Sequence, residues 1–392
     1  MNLLIILIIL GFLVGNIFKL NIPYSEVNFT ILDLSVSSIW FVYLLKRKLL
    51  IFKDFNLKTS LIYSIFIFVL VCLFSLFSNR DNVNFRELIA GASYLFRWSA
   101  YSLIFIPLQK LFSEDIINKL IYLIIVSFVS IGILQYIFVP DIRPLEILQW
   151  DPHLYRLVGS LIDPGFTAIV LVFSIIFTKL DNTLKINYKI ILWIFLFISL
   201  MLTYSRAGYL AFIISSIYIS LKIKSLKYLL IVISLFVTSI YVLPRPGGEG
   251  VNLRRSSSIE ARLINYVQSI QIFSLSPTVG TGFNLYRYTQ RDSGIGLVNW
   301  QNSHSAAGAD SSILFVLATT GIVGIFVYFQ YLVSLLKIDS LLVKSSVVAL
   351  LAHSIFLNSL FYPAVLLFIS LLIAHFNLFT NGVSRPISSH KN

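Results

Sequence analysis

Three arginines and one aspartate stand where a charge needs a reason. Arg206 sits in Tyr204-Ser205-Arg206-Ala207-Gly208, between two apolar runs. A charge at membrane depth is costly, which marks such a residue for function. The plainer role open to it is a guanidinium snorkelling from a helix end. Arg156 precedes Leu157-Val158-Gly159-Ser160, just outside the apolar run that follows Asp163-Pro164-Gly165. Arg262 follows Glu260 in a stretch with helical apolar spacing. An arginine fork grips phosphate or carboxylate through two parallel hydrogen bonds, so the three point to an anionic ligand. Asp310 and His304 close a long polar segment. Either can accept a proton from a hydroxyl, and His304 has the more suitable unperturbed pKa. The plainer roles are an N-cap for Asp310-Ser311-Ser312 and an ordinary loop histidine for His304. Asp163-Pro164 reads as an N-cap with proline at the first helical position, a structural pair.

The elements that must hold these residues are membrane helices. The chain is 57% hydrophobic and only 12% charged, too few charges to cover a soluble surface. Apolar runs of spanning length lie near 3–18, 29–45, 60–77, 88–106, 118–138, 164–179, 188–204, 207–221, 227–243, 311–336, 342–357 and 359–378. The expected fold is therefore all-α, a single membrane domain over 1–392 with about 12 transmembrane helices. The first run lacks a basic leader and a small-residue cleavage site, so it reads as a retained helix. The pair 188–204 and 207–221 reads as a tight hairpin or one interrupted helix, as does the last pair around Asn358.

The net charge of +13 first suggests nucleic acid, but the basic residues lie between the apolar runs. With the N-terminus in the cytoplasm, the cytoplasmic loops carry mostly lysine, such as Lys46, Lys119, Lys189 and Lys344. The short loops then obey the positive-inside rule. The opposite side carries nearly only arginine. Insertion asks only for charge, whereas arginine adds a fork, so the outer face is where an anion is expected. Arginines that solvate a loop and touch lipid phosphates are the plainer alternative. Both termini are expected in the cytoplasm, with 380–392 a flexible tail.

Two outer loops are long, 140–163 and 244–310, and are expected to form the substrate site. In the second, Ile259, Leu263, Tyr266, Ile270 and Phe273 recur at helical spacing, an amphipathic helix on the bilayer or over a cavity. Arg254 and Arg255 read as flexible loop charges, and Pro277, Gly280 and Gly282 as a turn. Arg97, inside a span, is expected to pair with an acid or line a cavity. His353 and His375 read as bundle or lipid-boundary residues. A single cysteine, Cys72, excludes a disulfide framework within one chain. No phosphate-cradling GxxxxGK[ST], HExxH or Asp-x-Asp occurs, so no cofactor and no metal site is expected.

Together these pieces resemble the O-antigen polymerase and O-antigen ligase superfamily of bacterial envelope enzymes. The matching segments are Arg156-Leu157-Val158-Gly159 with Asp163-Pro164; Tyr204-Ser205-Arg206-Ala207-Gly208; Glu260-Ala261-Arg262 before Pro277-Thr278-Val279-Gly280-Thr281-Gly282; and Ala309-Asp310-Ser311-Ser312-Ile313-Leu314 before Thr320-Gly321-Ile322-Val323-Gly324. The resemblance implies a glycosyltransferase of the inner membrane with its active site on the outer, periplasmic face. Its donor would be an undecaprenyl-diphosphate-linked oligosaccharide, its partners the bilayer, a chain-length regulator and a flippase, with no nucleic acid. It carries diphosphate binding to Arg156, Arg206 and Arg262, with the base at Asp310 or His304 and no metal ion. Ligases of the superfamily place a His-Asn pair ahead of the Gly-x-x-Gly, where this chain has Asp310-Ser311. The acid there resembles the polymerases. The alternatives are a ligase passing finished glycan to lipid A or another acceptor, and a non-enzymatic transporter of lipid-linked oligosaccharide.

Overall fold

A computed structural model describes residues 2–21, 27–48, 54–55, 59–148, 150–244, 246–295 and 308–376. Apart from one short antiparallel hairpin, Lys19–Asn21 (β1) with Asn28–Thr30 (β2), these residues build helices. In chain order they are α1 Asn2–Val14, α2 Ile31–Arg47, α3 Ser60–Ser78, α4 Phe85–Leu103, α5 Phe105–Leu111, α6 Glu114–Phe138, α7 Pro164–Leu180 and α8 Ile186–Leu202. There follow α9 Arg206–Ile223, α10 Leu226–Val242, α11 Ser257–Leu275, α12 Tyr286–Ser293, α13 Ser312–Leu336, α14 Leu341–Ser354 and α15 Pro363–Phe376. Each expected apolar run finds a helix, although the run 88–106 breaks at Ile104 between α4 and α5.

Length separates them. α3, α6, α9 and α13 are long and apolar enough to cross a membrane, while α1, α7, α8, α10, α14 and α15 are apolar but shorter. Phe326 and Phe329 of α13 are 73% and 64% exposed, and Phe74, Phe77 and Tyr241 also point outward. In water such a surface would aggregate; hydrocarbon is the solvent that suits it. The interior takes the small polar residues instead. Ser64 of α3 meets Ser334 of α13 at 2.9 Å. Such hydroxyls satisfy themselves on helix carbonyls or on one another and let helices approach. α7 and α15 are buried along most of their length, whereas α10 buries only Val232 and Phe236.

The chain between α8 and α9 is a tight hairpin, since both helices pack on α7. It turns at Thr203-Tyr204-Ser205, with Tyr204 left-handed at φ 51°. Ser205 caps α9 by accepting from the Gly208 N–H at 3.2 Å. A Cβ on Gly208 would stand 2.3 Å from that of Ala168, so this glycine is what lets α9 lie against α7. Asp163 caps α7, accepting from Gly165 and Phe166 N–H at 2.6 and 2.9 Å, with Pro164 following. The last pair of runs is interrupted by a short 3-10 turn, Ser359–Phe361.

The two glycine motifs lock into one another. α13 is broken at Gly321, which sits at φ 66°. The segment Pro277–Gly282 lies across the break. Ile322 N–H donates to the Pro277 carbonyl at 2.9 Å, and Thr281 and Gly282 N–H donate to the Ala318 and Thr319 carbonyls, each at 3.1 Å. A Cβ on Gly280 would stand 2.3 Å from the Thr319 carbonyl carbon, and one on Gly321 2.4 Å from the Thr278 oxygen. This crossing fixes the end of α11 against the middle of α13. Gly280→Ala should therefore lower stability by about 2–4 kcal/mol, combining left-handed strain with overpacking. Gly294→Ala, also left-handed at φ 67° but with nothing among the described residues within 4 Å of an added Cβ, should cost only about 1 kcal/mol. Thermal unfolding in detergent compares the two, and equal losses would contradict the interlock.

Candidate active site

Four guanidinium groups gather where the α8–α9 turn, the segment 249–256 and the start of α11 meet. Arg156 is 8% exposed. Its Nε donates to the Thr203 carbonyl at 3.0 Å and its Nη2 to that of Tyr204 at 3.3 Å. Gly250 lets the covering segment lie on it, since a Cβ there would stand 2.9 Å from the Arg156 Cδ. Arg206 opens α9 and donates through Nη1 to the Arg255 carbonyl at 3.1 Å and through Nη2 to Ser258 Oγ. Arg255 is half-buried and donates to the Gly250 and Asn252 carbonyls at 2.7 and 3.0 Å. Arg262 lies against the Phe356 ring at 5.7 Å, and its guanidinium makes no hydrogen bond among the described residues.

What holds these groups is neutral. Among the described residues none of the four forms an ion pair. Backbone carbonyls satisfy their N–H groups without cancelling their charge. The charges also repel one another: Arg255 acts on Arg156, and Arg262 on Arg156, Arg206 and Arg255. Burial and the Arg255 charge push the Arg156 pKa down to about 9. Arginine rarely relinquishes its proton, so the shift expresses a charge that is first desolvated and then repelled by its neighbour. His153 shares the pocket; burial and then Arg156 and Arg255 hold it down to about 3, which makes it neutral. Its buried Nε2 has no hydrogen-bond partner among the described residues.

α11 carries the site on a polar stripe. Ser258, Arg262, Asn265, Ser269 and Ile272 repeat at alternating four- and three-residue steps, one helix face. Asn265, Ser269 and Ile272 are buried, while Ile259, Leu263, Val267 and Ile270 point outward. The expected amphipathic helix is present, and its apolar face looks away from the protein. Asn265 reaches the far wall of the site: its Oδ1 accepts from the Asp310 N–H at 2.8 Å and its Nδ2 donates to the Gly308 carbonyl at 3.3 Å.

Asp310 is not the cap of α13. Ser311 takes that place, its Oγ accepting from Leu314 N–H at 3.5 Å. The Asp310 carboxylate accepts no hydrogen bond among the described residues. Burial raises its pKa to about 6; Arg262 opposes this, and Asp151 and Asp163 reinforce it. Burial also raises Asp163. Three carboxylates thus sit beside four arginines without closing on them.

The structure brings Arg156, Arg206, Arg262 and Asp310 into one site, and His304 lies outside the described residues. Arg255, read from the sequence as a flexible loop charge, is part of the cluster; its position next to Arg254 hides that it folds back onto Arg206. Asn265 and Ser258 were missed, although their spacing from Arg262 is visible in the sequence. Arg97 does pair with an acid, Asp33, at 3.0 Å.

Fold and site together define a helical membrane protein with a carbonyl-held arginine cluster and a desolvated acid. Residues 190–329 match the sequence model of a family described as O-antigen ligase. No curated protein sequence matches the chain. The matched stretch holds Arg206, Arg255, Arg262, Asp310 and the glycine interlock, and it begins after Arg156 and Asp163.

Asp310 should cost the fold stability when ionised. Its folded pKa, about 6, lies above the ordinary 3.8. The folded state therefore binds the proton more tightly, and the penalty is full above about pH 6 and gone near pH 4. Asp310→Asn should raise stability at pH 7.5 by on the order of 1–3 kcal/mol, with the gain fading as pH falls. Melting curves across pH read this; a gain independent of pH would contradict a desolvated carboxyl.

Proposed function

We propose that the protein is a polymerase of lipid-linked oligosaccharide repeat units in the bacterial cytoplasmic membrane. The reading places both termini in the cytoplasm, the arginine cluster on the outer face, and about 12 membrane passes, the shorter apolar helices included. The donor is the growing glycan on undecaprenyl diphosphate. The acceptor is a sugar hydroxyl of the next lipid-linked repeat. Product length and supply then involve a chain-length regulator and a flippase.

The observation that carries this reading is the set of guanidiniums that, among the described residues, are held only by neutral acceptors, beside a carboxyl that accepts no hydrogen bond from those residues. Arg156, Arg206, Arg255 and Arg262 supply forks for a diphosphate, with Arg262 donating to none of the described residues. Asp310 takes the proton of the attacking hydroxyl. That oxygen forms the new bond to the anomeric carbon, and the bond from that carbon to the diphosphate oxygen breaks. The developing negative charge falls on groups already positioned for it, so little reorganisation opposes the step. The bond that breaks supplies the driving force. His304 is the other candidate base that the sequence offers.

A ligase is the second reading, favoured by the description of the matching family. Deleting the gene separates the two: a polymerase deletion leaves single repeats on the surface, and a ligase deletion accumulates lipid-linked polymer. Elongation by purified protein with no ion gradient would exclude a transporter.

With purified protein and lipid-linked repeats, Asp310→Asn should lose about 10²–10⁴-fold in rate. Wild-type rate should rise with pH through about 6 as Asp310 ionises and then level off. Arg206→Lys keeps the charge but not the fork and should slow transfer at least about tenfold. Wild-type rates in both variants would overturn the reading.

A further inference from the structure

A cavity of about 320 Å³ lies apart from the arginine cluster and is lined in part from the helix starts that follow Asp163 and Asp310. Phe166 lines it from the first turn of α7, which Asp163 caps. Phe315 lines it from the first turns of α13, just beyond Asp310. Tyr362 lines it too and is close enough to Asp163 to feel its charge. None of the four site arginines takes part.

The walls are of two kinds. Phe166, Phe361 and Tyr362 offer aromatic surface; Asn284, Arg287 and Asn358 offer amide and guanidinium groups. The aromatic part is rigid. Phe166 stacks on Tyr362 with centroids 3.7 Å apart, and Phe361 packs on Phe315 at 4.9 Å. The Tyr362 hydroxyl is fixed by Asn16 Nδ2 at 2.5 Å. One polar atom has been left waiting: Asn358 Oδ1 is buried and has no hydrogen-bond partner among the described residues. A buried carbonyl without a donor is unfavourable, and a hydroxyl from a ligand would relieve it.

These features select a ligand class. A lipid tail needs only carbon, as in the groove between α3 and α13, whose lining includes Ile67, Val71 and Val323. A diphosphate needs concentrated positive charge, but of the two arginines that line the cavity, Arg97 and Arg287, the first already pairs with Asp33 at 3.0 Å. A sugar presents C–H faces to aromatic rings and hydroxyls that both donate and accept, which amide and guanidinium groups can answer. The volume falls at the small end of ligand pockets, roughly 300–1,000 Å³.

We propose that this cavity is a saccharide subsite that holds the acceptor sugar beside Asp310. That the sugar is an acceptor rests on the transfer reaction proposed above; that the cavity binds a saccharide does not. The test uses full-length protein in nanodiscs and, as probe, the free repeat-unit oligosaccharide of the host's surface glycan, released from its carrier by mild acid. Calorimetric titration should show binding to wild type, and Asn358→Ala should weaken it at least about tenfold with the melting temperature unchanged. Asn284→Gly, which keeps the left-handed backbone at φ 60° without strain, serves as the second variant should Asn358→Ala melt early, with the same weakening expected. Arg262→Ala should bind the oligosaccharide as wild type does. Failure of wild type to bind, or equal binding by the cavity variants, would overturn the subsite. Binding is read without any transfer, so this result stands or falls apart from the activity of the Arg206 and Asp310 variants.

Discussion

Positive charge that the fold gathers and does not cancel is the constraint on which the rest of the site depends. A guanidinium taken from water needs its N–H groups answered, and a carboxylate would answer both the hydrogen bonds and the charge. Here carbonyl oxygens of Thr203, Tyr204, Gly250, Asn252 and Arg255 answer the hydrogen bonds of three arginines and leave the charge in place. Each of those carbonyls must point inward, which explains the local backbone. The left-handed Tyr204 turns two of them toward Arg156, and Gly250 permits the segment above to close down.

The glycine interlock provides the frame. α11 carries Arg262 and Asn265, α13 begins beside Asp310, and the crossing of Pro277–Gly282 over the break at Gly321 sets one helix relative to the other. The hydrogen bond from Asp310 N–H to Asn265 then ties the acid to the same helix that carries a site arginine. The distance between Asp310 and the arginine cluster is therefore a property of helix packing, and packed helices hold such distances better than loops do.

The sequence showed most of this outline, for identifiable reasons. Apolar runs reveal helices because length and hydropathy are local, and Asp163-Pro164 announces the start of α7 by chemistry confined to one turn. Arg206 was legible because a charge between apolar runs is conspicuous. Arg255 was not, since nothing near it in sequence shows that its carbonyl receives Arg206. Asp310 and Ser311 are both good caps, so only the structure shows that Ser311 does the capping and Asp310 is spared. α11 gave its period but not its direction. In water the apolar stripe would face the core, whereas here the solvent is hydrocarbon and the polar stripe of Arg262, Asn265 and Ser269 faces inward. The glycine motifs gave no hint of their contact, because that contact joins segments far apart along the chain.

The proposed transfer depends on where a diphosphate binds. A cryo-electron microscopy map of the protein in nanodiscs with undecaprenyl diphosphate measures this directly. Diphosphate density is expected to be enclosed by Arg156, Arg206, Arg255 and Arg262, within reach of the Asp310 side of the site. Diphosphate density elsewhere on the protein, with the four guanidiniums still held as they are without ligand, would contradict it.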